Sequence, residues 1–181
     1  MGKWQRLTSK IVYQNQYMNI HEDEIITPDG RSGIYGWIEC PPAVFIIAIN
    51  EKNEVCLVEQ ERYLTGKLSW EVPAGNSDGE DELPAAKREL AEEAGLHADH
   101  WERIPGDINP YGSLAAERDI IFIATGLHDV REPVMNTDDV ITGKQWVSWT
   151  EIKRMLKAGE ITNGQSITTL ALAALHLDAL K

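Results

Sequence analysis

The chain has 181 residues, of which 43% are hydrophobic, and its formal net charge is -12 at pH 7. This size and composition predict one ordinary domain with a small appendage, able to bury a hydrophobic core. The negative charge argues against nucleic acid or an anionic membrane as a partner, because both would be repelled.

The cysteines and the longest apolar run indicate where the protein works. Cys40 and Cys56 are too few for a disulfide framework and lack metal-ligand spacing, so they are interpreted as reduced core thiols. The run Val44–Ile49 has the length of a strand, and no secretory signal is visible. We therefore predict a cytoplasmic protein.

Residues 1–41 form a predicted β-rich leader. Alternating apolar residues occur in three segments: Ile11–Tyr13, Met18–Ile26 and Ile34–Ile38. Two or three strands are marginal alone, so the leader must pack on its own domain or on a second copy of the chain. The Pro41-Pro42 pair breaks the chain and separates the leader from a main domain over residues 42–181.

The main domain starts with strands and ends with helices, which predicts an α+β layered fold. Its predicted strands are Ala43–Ile49, Val55–Gln60, Leu68–Val72, Trp101–Ile108, Ile120–Ala124 and Gln145–Trp149. Its last two helices run from a Thr150 cap to Gly159 and from Asn163 to Leu180. The final helix carries a predicted apolar stripe of Ile167, Leu170, Ala171, Ala174, Leu175 and Leu177.

Another helix has clear ends, because Asp81 is a capping residue, Pro84 fits a first turn and Gly95 favours a left-handed stop. Three glutamates at i, i+3 and i+4 project from one face of it: Glu89, Glu92 and Glu93. One interpretation is a solvated face neutralised by Lys87 and Arg88. The preceding strand and tight loop favour the other, in which the carboxylates meet a bound cation.

The glutamates lie in a pattern that resembles the signature of the Nudix hydrolases, enzymes that cut a nucleoside diphosphate linked to another moiety. The matching residues are Gly75, Glu80 and the run Arg88–Leu96. The match has one departure: four residues separate Gly75 from Glu80, where the family pattern has five. The loop is therefore expected to turn without the usual extra residue.

The resemblance extends to most of the chain and is closest to the ADP-ribose pyrophosphatase branch. It covers the leader, Val58–Tyr63, Ser69–Gly75 and residues 158–175. It implies the Nudix α/β/α sandwich. It also implies a homodimer, since the leader often crosses to the partner in that branch.

The resemblance also implies a metal site. The Ala74 carbonyl and the carboxylates of Glu89 and Glu93 would hold Mg²⁺ or Mn²⁺, hard ions that prefer oxygen ligands. Glu92 would support a further ion, and Arg88 is expected to orient a glutamate. With Glu92 and Glu93, a glutamate on a later loop completes the expected catalytic set: Glu117.

The loop Tyr111–Arg118 contains Gly112 and small residues, so we expect it to close over substrate and bring in Glu117 as a base or metal ligand. Arg62 and Arg118 could bind a diphosphate in forked geometry or form surface ion pairs. For Tyr35 and Trp37 the alternatives are stacking on a base and ordinary packing.

These observations predict a metal-dependent hydrolase of nucleoside diphosphate sugars, most like one that converts ADP-ribose to AMP and ribose 5-phosphate. Hydrolysis of GDP-mannose or another nucleotide sugar remains an alternative, because base and sugar choice lies in loops. A nucleotide-sensing Nudix domain that does not cut its ligand is a further alternative. The presence of every signature glutamate disfavours it.

Overall fold

The computed structural model describes residues 2–130 and 141–179. The strands in these residues are β1 (Gln5–Gln14), β2 (Asn19–Ile26), β3 (Ser32–Glu39), β4 (Ala43–Ala48), β5 (Glu54–Arg62), β6 (Lys67–Glu71), β7 (Ala74–Asn76), β8 (Leu96–Arg103), β9 (Ala115–Ala116), β10 (Asp119–Asp129) and β11 (Ile141–Ser148). The helices are α1 (Glu82–Ala94), α2 (Trp149–Ala158) and α3 (Gly164–His176). None of the described helices has both the length and the apolar character needed to cross a bilayer.

The first of two compact units combines the leader with a distant segment, residues 1–42 with residues 108–118. Its sheet has the order β1-β2-β3-β9, with an antiparallel meander over the first three strands. The predicted leader strands are therefore confirmed. The parallel pairing of β9 with β3, which attaches the later segment, was not predicted.

The second unit comprises residues 43–107 and 119–181. It contains a mixed sheet of order β7-β4-β10-β8 and an antiparallel sheet of order β11-β5-β6. All six residues of β4 are buried, because this strand lies inside the mixed sheet with β10 parallel beside it. Val44 and Ile46 pack with Leu90 of α1 in the main hydrophobic core. The predicted α+β class with an α/β/α sandwich agrees with this arrangement.

Helix α1 has the predicted ends. Asp81 is its N-cap residue in extended conformation, and Gly95 closes the helix with a left-handed φ of 65°. The Gly95 N–H donates to the carbonyl of Ala91, as expected for a glycine C-cap. Ala86 and Leu90 face the core, so the helix is fixed along its length.

The predicted start of β8 at Trp101 was wrong, because the strand begins at Leu96 immediately after the glycine turn. β8 lies at a sheet edge, and its polar residues His97 and Asp99 are exposed, which hid the strand pattern. The predicted Thr150 cap was also wrong. Ser148 is the N-cap of α2, and its side chain accepts a hydrogen bond from the Glu151 N–H.

The predicted apolar stripe of α3 was partly wrong. The residues that face inward are Ser166, Thr169, Leu170, Ala173 and Ala174. Ile167, Leu175 and Leu177 are exposed by 37%, 68% and 38%. Ser166 faces inward because its hydroxyl accepts a hydrogen bond from the Val72 N–H, at 3.3 Å. The helix ends at His176, and Leu180 lies outside the described residues.

Candidate active site

The loop before α1 is closed by a tight turn. Strand β7 pairs with β4, with Gly75 opposite Val44. The chain then turns where the Glu80 N–H donates to the Ser77 carbonyl at 2.8 Å. The two central residues, Asp78 and Gly79, both have positive φ, as in a type I′ turn. The chain therefore turns without the usual extra residue, as expected.

Glu93 is a buried carboxylate held at both oxygens. Its side chain lies on α1, and the residue is only 5% exposed. Oε2 accepts the Ala74 N–H at 2.8 Å, and Oε1 accepts the Gln60 side-chain amide at 2.5 Å. Because each oxygen accepts a hydrogen bond, the orientation of the carboxylate is fixed.

Glu89 is the second buried carboxylate, 4% exposed, and it lies against the backbone of Gly75. A Cβ on Gly75 would overlap the Cδ and both carboxylate oxygens of Glu89. Glycine is therefore required for this close approach. Arg88 Nη1 donates to Glu89 Oε1 at 2.6 Å.

Arg88 links most of the acidic groups at this end of the unit. Its Nη1 also donates to Glu92 Oε2 at 3.3 Å, its Nη2 to the Asn76 carbonyl at 2.9 Å, and its Nε to Glu80 at 3.4 Å. Burial alone would lower the pKa of Arg88, but the charge of Glu89 and the other carboxylates raises it. These contacts agree with the expectation that Arg88 orients a glutamate.

Two side chains from the antiparallel sheet form hydrogen bonds with α1. Gln60 on β5 binds Glu93, and Lys144 on β11 donates from Nζ to the Ala94 carbonyl at 2.7 Å. The last turn of α1 has no basic residue of its own, so Lys144 places positive charge at its C-terminus. Sequence reasoning missed both. For Gln60 a signal existed, because it continues the inward alternation of Cys56 and Val58.

The donor chemistry of this region fits a hard divalent ion. Glu89 and Glu93 are buried carboxylates directed at the Ala74–Gly75 backbone, and Glu92 lies one turn away from Glu89. Oxygen donors of this kind suit Mg²⁺ or Mn²⁺. Within residues 2–130 and 141–179, no three acidic, histidine or cysteine side chains are already arranged around one point. Arg88 instead contacts Glu89 and Glu92 in this structure.

Arg62 forms the ion pair that was one of its two predicted roles. Its Nε donates to Glu71 Oε1 at 2.9 Å, and its Nη2 contacts the other oxygen of Glu71. Glu71 is 2% exposed, whereas 42% of the Arg62 side chain is exposed. The two contacts with the buried Glu71 carboxylate therefore fix the orientation of the Arg62 guanidinium, which is partly exposed. Glu71 was not identified from the sequence.

Tyr35 and Trp37 lie on β3 in the leader unit. The Tyr35 hydroxyl donates to the Ser113 carbonyl at 2.8 Å. Trp37 stacks on His21, with ring centroids 4.1 Å apart, and its Nε1 donates to Asp23 at 3.0 Å. These contacts agree with the packing alternative for both residues. One face of the Trp37 ring is already covered by His21.

Glu117 and Arg118 directly follow β9, also in the leader unit. Glu117 is half-buried, and Arg118 is exposed. Burial, followed by the negative charge of Glu117, raises the pKa of the Cys40 thiol. The predicted site residues therefore divide between the two units: Ala74, Glu89, Glu92, Glu93 and Arg62 in one, and Tyr35, Trp37, Glu117 and Arg118 in the other.

Comparison with known proteins identifies the class. The sequence profile of the NUDIX domain matches residues 40–170, and that of the nucleoside diphosphate sugar hydrolase N-terminal domain matches residues 4–38. The chain therefore belongs to the Nudix family and is a Nudix hydrolase. The resemblance stated from the signature residues is confirmed.

Several relatives are similar over most of the chain. An ADP-ribose pyrophosphatase of Mycobacterium tuberculosis is 29% identical over 96% of this chain and 83% of that protein. A CMP-5'-(N-acetyl-N-hydroxy-3-aminopropyl)phosphonate hydrolase of Streptomyces rubellomurinus is 23% identical over 96% and 84% of the two chains. A crystal structure of an ADP compounds hydrolase superimposes with a TM-score of 0.84, covering 98% and 96% at 18% identity. This last similarity supports the fold.

Proposed function

We propose that this protein hydrolyses the diphosphate bond of nucleoside diphosphate sugars, with ADP-ribose giving AMP and ribose 5-phosphate. The observation that carries the proposal is the pair of buried carboxylates, Glu89 and Glu93, directed at the Ala74–Gly75 backbone within the matched Nudix domain. Burying two carboxylates side by side is costly, and a bound metal ion would add positive charge to that of Arg88, which contacts Glu89. The similarity to an ADP-ribose pyrophosphatase over nearly the whole chain supports the choice of substrate.

The metal in this proposal is Mg²⁺ or Mn²⁺, as the family resemblance implies. Glu89, Glu93 and the Ala74 carbonyl would hold it, and Glu92 would hold a further ion. When bound, such an ion neutralises the diphosphate and lowers the pKa of a coordinated water. Gln60 keeps the Glu93 carboxylate in one orientation, and Arg88 does the same for Glu89.

Other side chains accept the proton of the attacking water and bind the phosphates. In the proposal Glu117 accepts the proton of the attacking water, which a carboxylate can do at neutral pH. Arg62 and Arg118 bind the departing phosphate. For Arg62, the fork with the buried Glu71 supports this role because it fixes a partly exposed guanidinium.

Two other functions compete with this one. GDP-mannose or another nucleotide sugar could be the substrate, and the name of the Streptomyces relative shows that a CMP-linked compound is a substrate elsewhere among similar proteins. The other candidate is a domain that binds nucleotides without cleavage. The fixed geometry of Glu93 favours catalysis over sensing, since positioning both carboxylate oxygens serves a reaction.

A substrate panel tests the proposal. Purified protein with Mg²⁺ is incubated with ADP-ribose, GDP-mannose and a CDP-linked sugar, none of which has a terminal phosphate, and alkaline phosphatase then releases phosphate from the monoester products. We expect the fastest phosphate release from ADP-ribose, and none when the divalent metal is left out of the first incubation. If another diphosphate compound is hydrolysed faster, that compound would replace ADP-ribose as the proposed substrate. If calorimetry shows binding of a compound and none of the compounds is hydrolysed, the proposed function would be nucleotide sensing and not hydrolysis.

We also propose that the protein is a homodimer formed through the leader. All ten residues of β1 are exposed, and among them Leu7, Ile11, Val12 and Tyr13 are each at least 50% exposed. A strand edge with this much apolar surface favours association with a second copy. The cytoplasmic location stays a prediction from the sequence.

A further inference from the structure

The segment that carries Glu117 is built onto the leader sheet. Residues 108–118 cluster with the leader, and β9 runs parallel to β3 with Ala115 opposite Ile38. The Ile38 N–H donates to the Leu114 carbonyl at 2.9 Å. Because Glu117 directly follows β9, its backbone position is set by β3. The closure of this loop over substrate stays a prediction.

A strand of two residues forms few hydrogen bonds, so the preceding turn needs other support. Within that turn, the Tyr111 carbonyl accepts the N–H groups of Leu114 and Ala115 at 2.7 and 3.1 Å. The Tyr35 hydroxyl reaches across 78 residues of chain and donates to the Ser113 carbonyl at 2.8 Å. This is a long-range side-chain hydrogen bond from β3 to the middle of the turn.

Tyr35 is itself held in place. Trp4 packs edge-on against the Tyr35 ring, with centroids 6.0 Å apart and an angle of 73° between planes. The ring contact limits rotation of the side chain, so the hydroxyl stays directed at Ser113. A residue that stacks on a base needs only its ring, whereas a residue that holds the turn needs its hydroxyl. Phenylalanine therefore separates the two roles.

We propose that Tyr35 is a positioning residue for Glu117, acting through the hydrogen bond from its hydroxyl to the Ser113 carbonyl. The bond fixes the turn Tyr111–Leu114, which sets the direction in which the chain enters β9 and presents the Glu117 carboxylate. This inference deepens the proposed function and rests on it, because Glu117 is the proposed base.

The test is a double-mutant cycle with Tyr35→Phe and Glu117→Gln, measured as kcat and KM for ADP-ribose with Mg²⁺. Loss of the hydrogen bond to the Ser113 carbonyl, which holds the turn before the base, predicts a fall in kcat of about five- to tenfold for Tyr35→Phe alone. In the Glu117→Gln background the same change should alter kcat by less than about twofold, because the group it positions is already gone. KM should stay within about twofold in both backgrounds.

A second measurement reads the turn without using activity. Backbone hydrogen exchange at residues 111–117 should be faster in Tyr35→Phe than in wild type, while β4 is unchanged. Tyr17→Phe is the matched control, since Tyr17 is a 59% exposed tyrosine of the same unit. It should leave both kinetics and exchange as in wild type.

The outcomes separate the inference from the proposed function. An equal fall in kcat in both backgrounds, or unchanged exchange at 111–117, overturns the positioning role. Unchanged kcat and KM in Tyr35→Phe indicate a role that needs only the ring, such as base stacking, and overturn the positioning role as well. Wild-type protein that cleaves no compound of the panel overturns the proposed function, and the inference with it.

Discussion

The carboxylate of Glu89 lies directly against the Cα of Gly75, in a space that no side chain can share. Gly75 belongs to β7, which is held in the sheet by pairing with β4, and Glu89 is on the buried face of α1. Strand and helix are therefore packed so closely that only a residue without a Cβ fits between them. This contact brings the buried Glu89 carboxylate to the residue beside Ala74, whose carbonyl the resemblance implies as a metal ligand.

Replacing Gly75 with alanine should separate these two groups. The new methyl group must displace either the carboxylate or the β7 backbone, and overpacking of this kind costs about 1–3 kcal/mol of unfolding free energy. We expect a lower melting temperature and a loss of most turnover. Gly164→Ala is the matched control, because a Cβ there meets no atom within 4 Å. Equal turnover in the two variants would contradict this assignment of Glu89.

The contacts of Glu93 change the stability expected for Glu93→Gln. Considering charge alone, removing a carboxylate from a crowded acidic helix face should stabilise the protein without metal. In the structure, however, both Glu93 oxygens accept hydrogen bonds, from Gln60 and Ala74. A glutamine must turn its NH₂ group toward one of these donors.

We therefore expect Glu93→Gln to lose almost all turnover and also about 1–3 kcal/mol of unfolding free energy. Thermal melting in EDTA measures the stability, and the substrate panel measures the activity. Combining Glu93→Gln with Gln60→Glu supplies a check. In this double variant the new carboxylate at position 60 can accept a hydrogen bond from the new amide at position 93. A Glu93→Gln protein that melts above wild type would show that charge repulsion dominates at this helix face.

The ends of α1 and the shared face of its glutamates follow from local chemistry. Asp81, Pro84 and Gly95 act on the backbone within one or two residues, so their effect can be deduced from the sequence. The helical period then places Glu89 and Glu93 on one face without knowledge of the rest of the chain. The positions of the three leader strands follow from alternation in the same way.

The partners of those glutamates depend on long-range contacts. Gln60 lies 33 residues from Glu93, and Lys144 lies 50 residues from Ala94. Residue type alone cannot tell which strand will lie beside a helix. The same limit explains why the attachment of the Glu117 segment to the leader was missed, since Tyr35 and Ser113 are 78 residues apart.

The prediction of the inward face of α3 was partly wrong for a different reason. Hydrophobicity placed Ile167 and Leu175 inside, but the structure exposes them and buries Ser166 and Thr169. Small residues allow α3 to approach closely, and the Ser166 hydroxyl satisfies the Val72 N–H. A serine that meets a backbone donor can thus be as well suited to an interior as an isoleucine.

Glu117→Gln tests the proposed base. A positioned base contributes about 10²- to 10⁴-fold to rate, so kcat should fall by about that factor while substrate affinity stays within a few-fold. Glu92→Gln provides the comparison, because Glu92 is the next candidate. A fall of less than about threefold in Glu117→Gln would move the base elsewhere.

The apolar surface of β1 predicts the oligomeric state. Leu7 and Val12 fall at the two irregularities in the pairing of β1 with β2, so their replacement disturbs that ladder least. We expect a dimer by light scattering at micromolar concentration and a monomer for Leu7→Lys/Val12→Lys. Leu175→Lys, at a 68% exposed position of α3, is the control and should remain dimeric. A fully active wild-type monomer would rule out the dimer.

The Cys40 thiol reports on Glu117 without any substrate, and the Cys56 thiol serves as a reference. Burial raises the pKa of Cys56 to about 12, so this thiol should resist alkylation in the folded protein. For Cys40, burial and then the charge of Glu117 raise the pKa above its ordinary value. Because the thiolate is the reactive form, a raised pKa means slower alkylation near pH 8.

Glu117→Gln removes the second of these causes and leaves the first. The pKa of Cys40 should therefore fall, and its reaction with iodoacetamide at pH 8 should be faster than in wild type. The difference should vanish at a pH above both pKa values, where each protein carries the thiolate. Glu117→Asp keeps the charge, so it should react more slowly than Glu117→Gln at pH 8. Mass spectrometry of the labelled peptides separates Cys40 from Cys56. Identical Cys40 rates in wild type and Glu117→Gln across the pH range would mean that the Glu117 carboxylate does not lie near Cys40.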